Sequence, residues 1–307
     1  MVKISVVGAG MVGATVVQRL AESELGDLVM IDVVEGLPQG KALDLMESAP
    51  LCGFDVDVVG SNDYRDIESS DVVVVTAGLP RKPGMTRDDL IRINRGIIRD
   101  ISSKVVEYAS SAILLVVTNP LDLMTYAALK YTGFEPHRVL GMGGVLDSAR
   151  FAYFIALELD CSPADVQAMV IGSHGDMMLP LPEYTTVSGI PIRELLSSDA
   201  LSRSVSRTVN AGAEIVDLLK TGSAFYAPSA AIVRMVEAVV HDQRRIMPAS
   251  VYLDGKYGLK DICIGLPVRL GRGGVLDVIE LDLRRETMDA LHRSADSLRT
   301  LISSLEL

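Results

Sequence analysis

Residues 6–13 read VVGAGMVG, and the spacing of Gly8, Gly10 and Gly13 is G-x-G-x-x-G. The triplet follows the apolar run KISVV (3–7) and opens a stretch of helical period, which is the strand–turn–helix context that a dinucleotide-binding turn requires. Each glycine has a physical task. Gly8 allows the tight turn, Gly10 lets a pyrophosphate approach the backbone, and Gly13 lets the helix pack on the strand. A second apolar run, LVMID (28–32), ends in Asp32, close to the offset of about 20 residues at which a carboxylate takes the adenosine ribose hydroxyls. Such a carboxylate repels a 2′-phosphate, so the sequence favours NAD over NADP.

Outward from this turn, runs of strand length alternate with helical stretches. VDVV (56–59), VVVVTA (72–77) and ILLVVT (113–118) are rich in Val, Ile and Leu. Leu90, Ile93, Ile97, Ile101, Val105 and Tyr108 recur at steps of three and four, which predicts a long amphipathic helix between the last two runs. Continuous apolar strands joined by helices mean a parallel sheet covered on both faces. The first half, residues 1–142, is therefore expected to be an α/β Rossmann-type domain with a doubly wound parallel sheet. The rhythm then changes. A helical run to about Leu159, a strand over 165–172, long helices over 197–220 and 229–241, strands around 246–281 and a closing helix suggest an α+β lobe over 143–307. The closing helix carries Met288, Leu291, Ala295, Leu298 and Ile302 on one face.

Composition limits the partners. The 307-residue chain carries a formal net charge of -11, which argues against nucleic acid and anionic membranes. The N-terminus runs straight into the glycine turn and reads as a first strand, not a signal peptide. No apolar run approaches the roughly 18 residues of a membrane span. Cys52, Cys161 and Cys263 are scattered and in no metal-ligand spacing, which suits reduced thiols in a cytoplasm and no bound metal.

Against this acidic background the segment LPRKPGMTR (79–87) concentrates Arg81, Lys82 and Arg87 between prolines and a glycine, where neither helix nor strand can form. Three further segments carry reactive side chains. GSHGDMM (172–178) sets His174 between small residues after a strand. A loop histidine alone is more often an ordinary hydrogen-bonded residue than a catalyst. GGVLDSARF (143–151) places Asp147 and Arg150 three apart on a helix, a spacing that by itself suggests only a modest surface ion pair. VVTNPLD (116–122) puts Asn119 at the carboxyl edge of the fifth strand, where ligands of such sheets bind.

GAGMVG, AGLPRKPGMTR, VVTNPLD, GVLDSARF, GSHGD and TGSAFYAPSAA occur in this order along essentially the whole chain. In this the sequence resembles the malate and lactate dehydrogenases, and within them the malate dehydrogenases of the lactate dehydrogenase-like branch. The resemblance implies reversible hydride transfer between (S)-malate and oxaloacetate with NAD, and a homodimer or homotetramer. It implies that His174 is the acid/base, Asp147 its carboxylate partner, and Arg150 the clamp on the C1 carboxylate of the substrate. Asn119 orients the substrate oxygen. Residues 79–87 become the loop that closes over substrate, with Arg87 polarising the carbonyl and Arg81 selecting a second carboxylate. Met11, Val12, Asn94, Val117 and Asn119 join Gly8, Gly10, Gly13 and Asp32 as cofactor contacts. A metal-dependent glycosidase with a Rossmann domain would use Cys and His ligands, and nothing in the sequence gathers them. A non-catalytic NAD sensor would give His174, Arg87 and Arg150 no reason to coexist.

Overall fold

The computed structural model describes residues 2–80, 85–303 and 305. Six parallel strands build the first half: β1 (Lys3–Val7), β2 (Asp27–Ile31), β3 (Val58–Ser61), β4 (Val72–Val75), β5 (Ile113–Val116) and β6 (Val139–Gly141). They lie in the order β3-β2-β1-β4-β5-β6, so the chain reverses direction across the sheet between β1 and β4. Ligands of open α/β sheets bind at that switch point, outside the carboxyl ends of the strands.

Alternate side chains along each strand face opposite layers. Val6, Val74 and Leu115 pack with Val16, Val17 and Leu20 of α1 (Met11–Glu22). Their neighbours Val7, Val75 and Leu114 pack beneath α3 (Arg87–Tyr108) and α4 (Leu121–Thr132). Burial on both faces is why these runs are continuously apolar. Between them, α2 (Leu37–Cys52) follows β2.

The long helix lies where expected, but its buried face is Ile91, Asn94, Ile98, Ile101, Ser102 and Val105. Leu90, Ile93 and Ile97 are only partly buried. The apolar stripe is rotated from the buried face, because Asn94 and Ser102 are polar yet buried, Asn94 through bonds to backbone.

The second half contributes α5 (Gly144–Leu159), β7 (Val166–Gln167), β8 (Val170–Gly172), β9 (Met178–Pro180), β10 (Thr186–Val187), β11 (Ile190–Pro191), α6 (Ile192–Leu195), α7 (Ser198–Leu219), α8 (Tyr226–Val240), β12 (Arg245–Asp254), β13 (Lys260–Gly271), β14 (Gly274–Val278) and α9 (Arg285–Ser303). The single strand expected over 165–172 is two short ones in different sheets: β7 joins β10 and β11, while β8 pairs β13 and β9. The expected helix over 229–241 starts three residues earlier, at Tyr226. β12 pairs antiparallel to β6 through Ser250 and Gly141, so the six parallel strands continue into five antiparallel ones, eleven strands in the whole sheet. That junction carries the second half's side chains to the carboxyl edge of the first.

Candidate active site

The glycine turn has the geometry its spacing implies. Gly8 has φ +110, and a Cβ there would lie 2.6 Å from the Ala77 nitrogen. A Cβ at Gly13 would lie 1.8 Å from the Gly8 carbonyl oxygen, so helix and strand touch with no room for a side chain. Gly10 differs: a Cβ there meets nothing within 4 Å. Its missing side chain leaves open space beside α1, whose N-terminus has neither a side-chain cap nor an acidic residue in its first turn. The N–H groups of Met11, Val12 and Gly13 begin that turn, so partial positive charge faces the space, and a pyrophosphate fits both shape and sign.

Asp32 follows β2. Its Oδ2 accepts from the Ala9 N–H at 2.7 Å and its Oδ1 from the Val34 N–H at 3.0 Å. Lys41 of α2 donates to the Ala9 carbonyl at 2.7 Å, so an acid and a base hold the N–H and the C=O of one residue in the turn. The residues present thus suit an NAD molecule at the β1/β4 crevice.

Asn94 is 1% exposed, and its side chain latches two loops. Its Oδ1 accepts from the Leu79 N–H at 2.8 Å, and its Nδ2 donates to the carbonyls of Leu79 (3.2 Å) and Asn119 (2.7 Å). Both amide hydrogens are thereby committed to backbone. The side chain fixes the start of the 79–87 segment against the end of β5, where Val117 donates to the Val75 carbonyl at 2.9 Å. Asn119 is exposed beyond that strand, and its peptide with Pro120 is cis.

His174 sits in the turn joining β8 to β9, close against the start of α5: a Cβ on Gly143 would lie 3.3 Å from the His174 Cβ. Its Nδ1 is 2.8 Å from Asp147 Oδ2. That bond leaves Nε2 without a hydrogen-bond partner among the described residues. Burial alone pushes the imidazole down from its ordinary range, but the Asp147 charge, the Asp147 hydrogen bond and the Asp122 charge outweigh it, so the net shift is upward despite Arg150.

Asp147 and Arg150 share a face, as their spacing predicts, but neither is at the surface. Their side chains are 2% and 12% exposed, and Arg150 Nη1 lies 3.6 Å from Asp147 Oδ1. At that distance the contact is an ion pair without a hydrogen bond. Asp147 Oδ1 and Arg150 Nε are buried without any hydrogen-bond partner. Burial pushes the guanidinium down from its usual range, with the Asp147 charge opposing. An arginine held out of water with unspent donors calls for an anion with two oxygens.

Two groups of the site were given no role by the motifs, although Asp122 closes VVTNPLD. Asp122 is 3% exposed, and its carboxylate accepts from the His174 N–H at 2.8 Å and from the Ser250 hydroxyl at 2.6 Å. Ser294 of α9 accepts from the Ser173 N–H at 3.1 Å and donates to the Met177 carbonyl at 3.2 Å, bracing the His174 turn from the other side. A carboxylate inside the otherwise apolar run LDLMTYAAL was the available clue to Asp122, since α4 is buried all round there. Met178 packs inside at 6% exposure, while Met177 is exposed and lends only its carbonyl.

Arg87 is the first residue of α3, exposed and in no ion pair among the described residues. Thr86 caps that helix in a reciprocal box with Asp89, which fixes where the loop ends. Arg81 and Lys82 lie outside the described residues. Among the described residues no group of three or more His, Cys, Asp or Glu could hold a metal ion, and no helix is long and apolar enough to cross a membrane.

Comparisons with known proteins bear on both halves. The lactate/malate dehydrogenase NAD binding domain matches residues 2–141, and the lactate/malate dehydrogenase alpha/beta C-terminal domain matches 144–306. A malate dehydrogenase of Methanosarcina mazei is 59% identical over 307 residues, the full length of both chains. The crystal structure of Cryptosporidium parvum malate dehydrogenase superposes with a TM-score of 0.97 at 40% identity, over 99% of each chain. The lactate dehydrogenase of the same organism, solved with lactic acid and nicotinamide adenine dinucleotide, gives a TM-score of 0.95 at 38% identity, over 99% of this chain and 98% of that one. A paired His174 and Asp147, a buried arginine awaiting an anion and a glycine turn open to a pyrophosphate thus stand on a scaffold matched from end to end, and the chain belongs to the lactate/malate dehydrogenase family.

Proposed function

We infer that the chain is an NAD-dependent malate dehydrogenase, which interconverts (S)-malate and oxaloacetate. The observation that carries the chemistry is the buried Arg150 with its unspent Nε, set beside the His174–Asp147 pair. When bound, NADH supplies the hydride that reaches C2 of the keto acid. His174, protonated on Nε2, gives its proton to the ketone oxygen, so the carbonyl becomes a hydroxyl. In the reverse direction the neutral ring removes that hydroxyl proton. Asp147 keeps the proton of Nδ1 in place, which aims Nε2 at substrate and stabilises the charged ring.

Arg150 takes the C1 carboxylate with a planar fork that lysine lacks. Asn119 orients the reacting oxygen, Arg87 polarises the carbonyl, and Arg81 pairs with the distal carboxylate that distinguishes oxaloacetate from pyruvate. Met11, Val12, Val117 and the latched Asn94 complete the cofactor cradle formed by Gly8, Gly10, Gly13 and Asp32. Residues 1–142 form the NAD-binding unit and 143–307 the unit that supplies Asp147, Arg150 and His174. Three free cysteines, one of them exposed, suit a cytoplasmic enzyme of the tricarboxylic acid cycle. Exposed Leu43 and Leu51 on α2, Tyr153 and Leu157 on α5, and Leu218 on α7 suit a homodimer or homotetramer.

The test is loss of NADH absorbance on adding oxaloacetate to purified protein, with pyruvate in parallel. Oxidation that prefers oxaloacetate is expected. No oxidation, or a preference for pyruvate, overturns the reading.

A further inference from the structure

Asp122 has no part in the proton transfer just described, yet it reaches the His174 turn from below. It stands in the first turn of α4, three residues beyond Asn119. One oxygen accepts from the His174 backbone N–H at 2.8 Å and the other from the Ser250 hydroxyl of β12 at 2.6 Å. The charged or titratable groups facing it are His174 from the β8–β9 turn, Asp147 from α5 and Cys263 from β13. Arg150 adds a cation whose charge His174 feels.

We propose that Asp122 is a positioning residue for the proton transfer: it pins the backbone of His174 to the strand end that carries Asn119, and it gives the imidazolium a second buried negative charge besides Asp147. A general acid must be held within hydrogen-bond reach of the atom it protonates. Here one side chain ties the turn bearing the acid to the segment bearing the substrate-orienting amide. The electrostatic part follows from burial. Removal from water pushes the Asp122 carboxyl up to about 6, with the Ser250 and His174 donors and the His174 charge opposing and Asp147 adding to the rise. Two carboxylates therefore flank one imidazole, and each favours the charged ring.

Asp122→Asn separates charge from geometry, because its carbonyl can still accept from the His174 N–H while its amide donates to a reoriented Ser250 hydroxyl. Reduction of oxaloacetate needs the protonated ring and is lost as pH rises through the His174 titration. Without the Asp122 charge that loss moves to lower pH, with a several-fold drop in kcat/KM at the pH where the wild type is half-maximal. NADH affinity stays at the wild-type value. Ser250→Ala keeps the carboxylate and, although it lifts Asp122 further, displaces the alkaline limb less than Asp122→Asn does. An Asp122→Asn profile that coincides with the wild type, or a Ser250→Ala profile displaced as far, overturns the proposal.

Should Asp122→Asn not fold, NMR titration of the His174 ring in the wild type supplies the answer. Two inflections are expected, one from the ring and one from Asp122, and a single-site curve contradicts it. The kinetic arm rests on the dehydrogenase reading, but the ring titration does not. A protein without oxaloacetate-dependent NADH oxidation refutes that reading, while a single inflection refutes this inference.

Discussion

Asp147→Asn removes a charge and keeps a shape. Asp147 is 2% exposed, lies 2.8 Å from His174 Nδ1 and 3.6 Å from Arg150, and has one oxygen without a hydrogen-bond partner. In so buried a place the charge-assisted bond to the imidazolium contributes about 2–3 kcal/mol, and Coulomb's law at an effective dielectric of 20 gives about 4 kcal/mol at 4 Å. The ring must be charged to reduce oxaloacetate, so that stabilisation is lost where it matters. At about 1.4 kcal/mol per decade, kcat should fall roughly thirtyfold to nearly a thousandfold. The other contact acts in the opposite sense. Arg150 loses the carboxylate that competes with substrate for it, so KM for oxaloacetate should hold or fall. The alkaline limb of the reduction should also move to lower pH, because Asp147 helps raise the imidazole above its ordinary range. Steady-state kinetics across pH, with NADH affinity by fluorescence, measures all three effects. A variant with kcat intact and KM raised would show instead that Asp147 serves Arg150 and not His174.

Gly10→Ala should fold with unchanged or slightly higher stability yet bind NADH poorly, because its Cβ enters space that only the cofactor needs; Gly13→Ala, 1.8 Å from the Gly8 oxygen, should lower Tm sharply instead. Thermal melts and NADH titrations on the pair distinguish the two roles, and equal melting losses would count against the cradle. NAD should be strongly preferred over NADP, since Asp32 meets a 2′-phosphate as a like charge; equal kcat/KM with both would contradict this. Arg81→Gln should cost oxaloacetate about 2–5 kcal/mol in kcat/KM while sparing pyruvate. An oxaloacetate-to-pyruvate ratio within a few-fold of wild type would show that Arg81 is not the discriminator.

The sheet was legible because its strands are buried on both faces, which leaves uninterrupted Val and Ile runs, and because the glycine turn and Asp32 occur where that sheet must bind. Register and burial were harder to read. The apolar stripe of α3 misplaces its own core, since Asn94 is buried by the backbone groups it latches and not by hydrophobicity. The segment 165–172 reads as one strand, but its pieces enter different sheets, and the pairings of Val166 with Val187 and of Gly172 with Gly265 leave no local pattern. His174, Asp147 and Arg150 stood out through short motifs in a familiar order. Their spatial relation did not: an i, i+3 acid–base pair suggests a surface ion pair, and only the tertiary packing buries it with unpaired polar atoms. Asp122, Ser250 and Ser294 support the site from separate elements, so each looks ordinary in its own segment.

The measurement that bears most directly on the mechanism is His174→Asn, with turnover and NADH binding determined on the same preparation. A positioned general acid contributes roughly 10²–10⁴-fold. With His174 as that acid, kcat for oxaloacetate reduction falls by that order while the NADH dissociation constant stays at the wild-type value, because the ring pairs with Asp147 and serves the substrate and not the glycine turn. Turnover within a few-fold of wild type, or NADH affinity lost in step with rate, would contradict it.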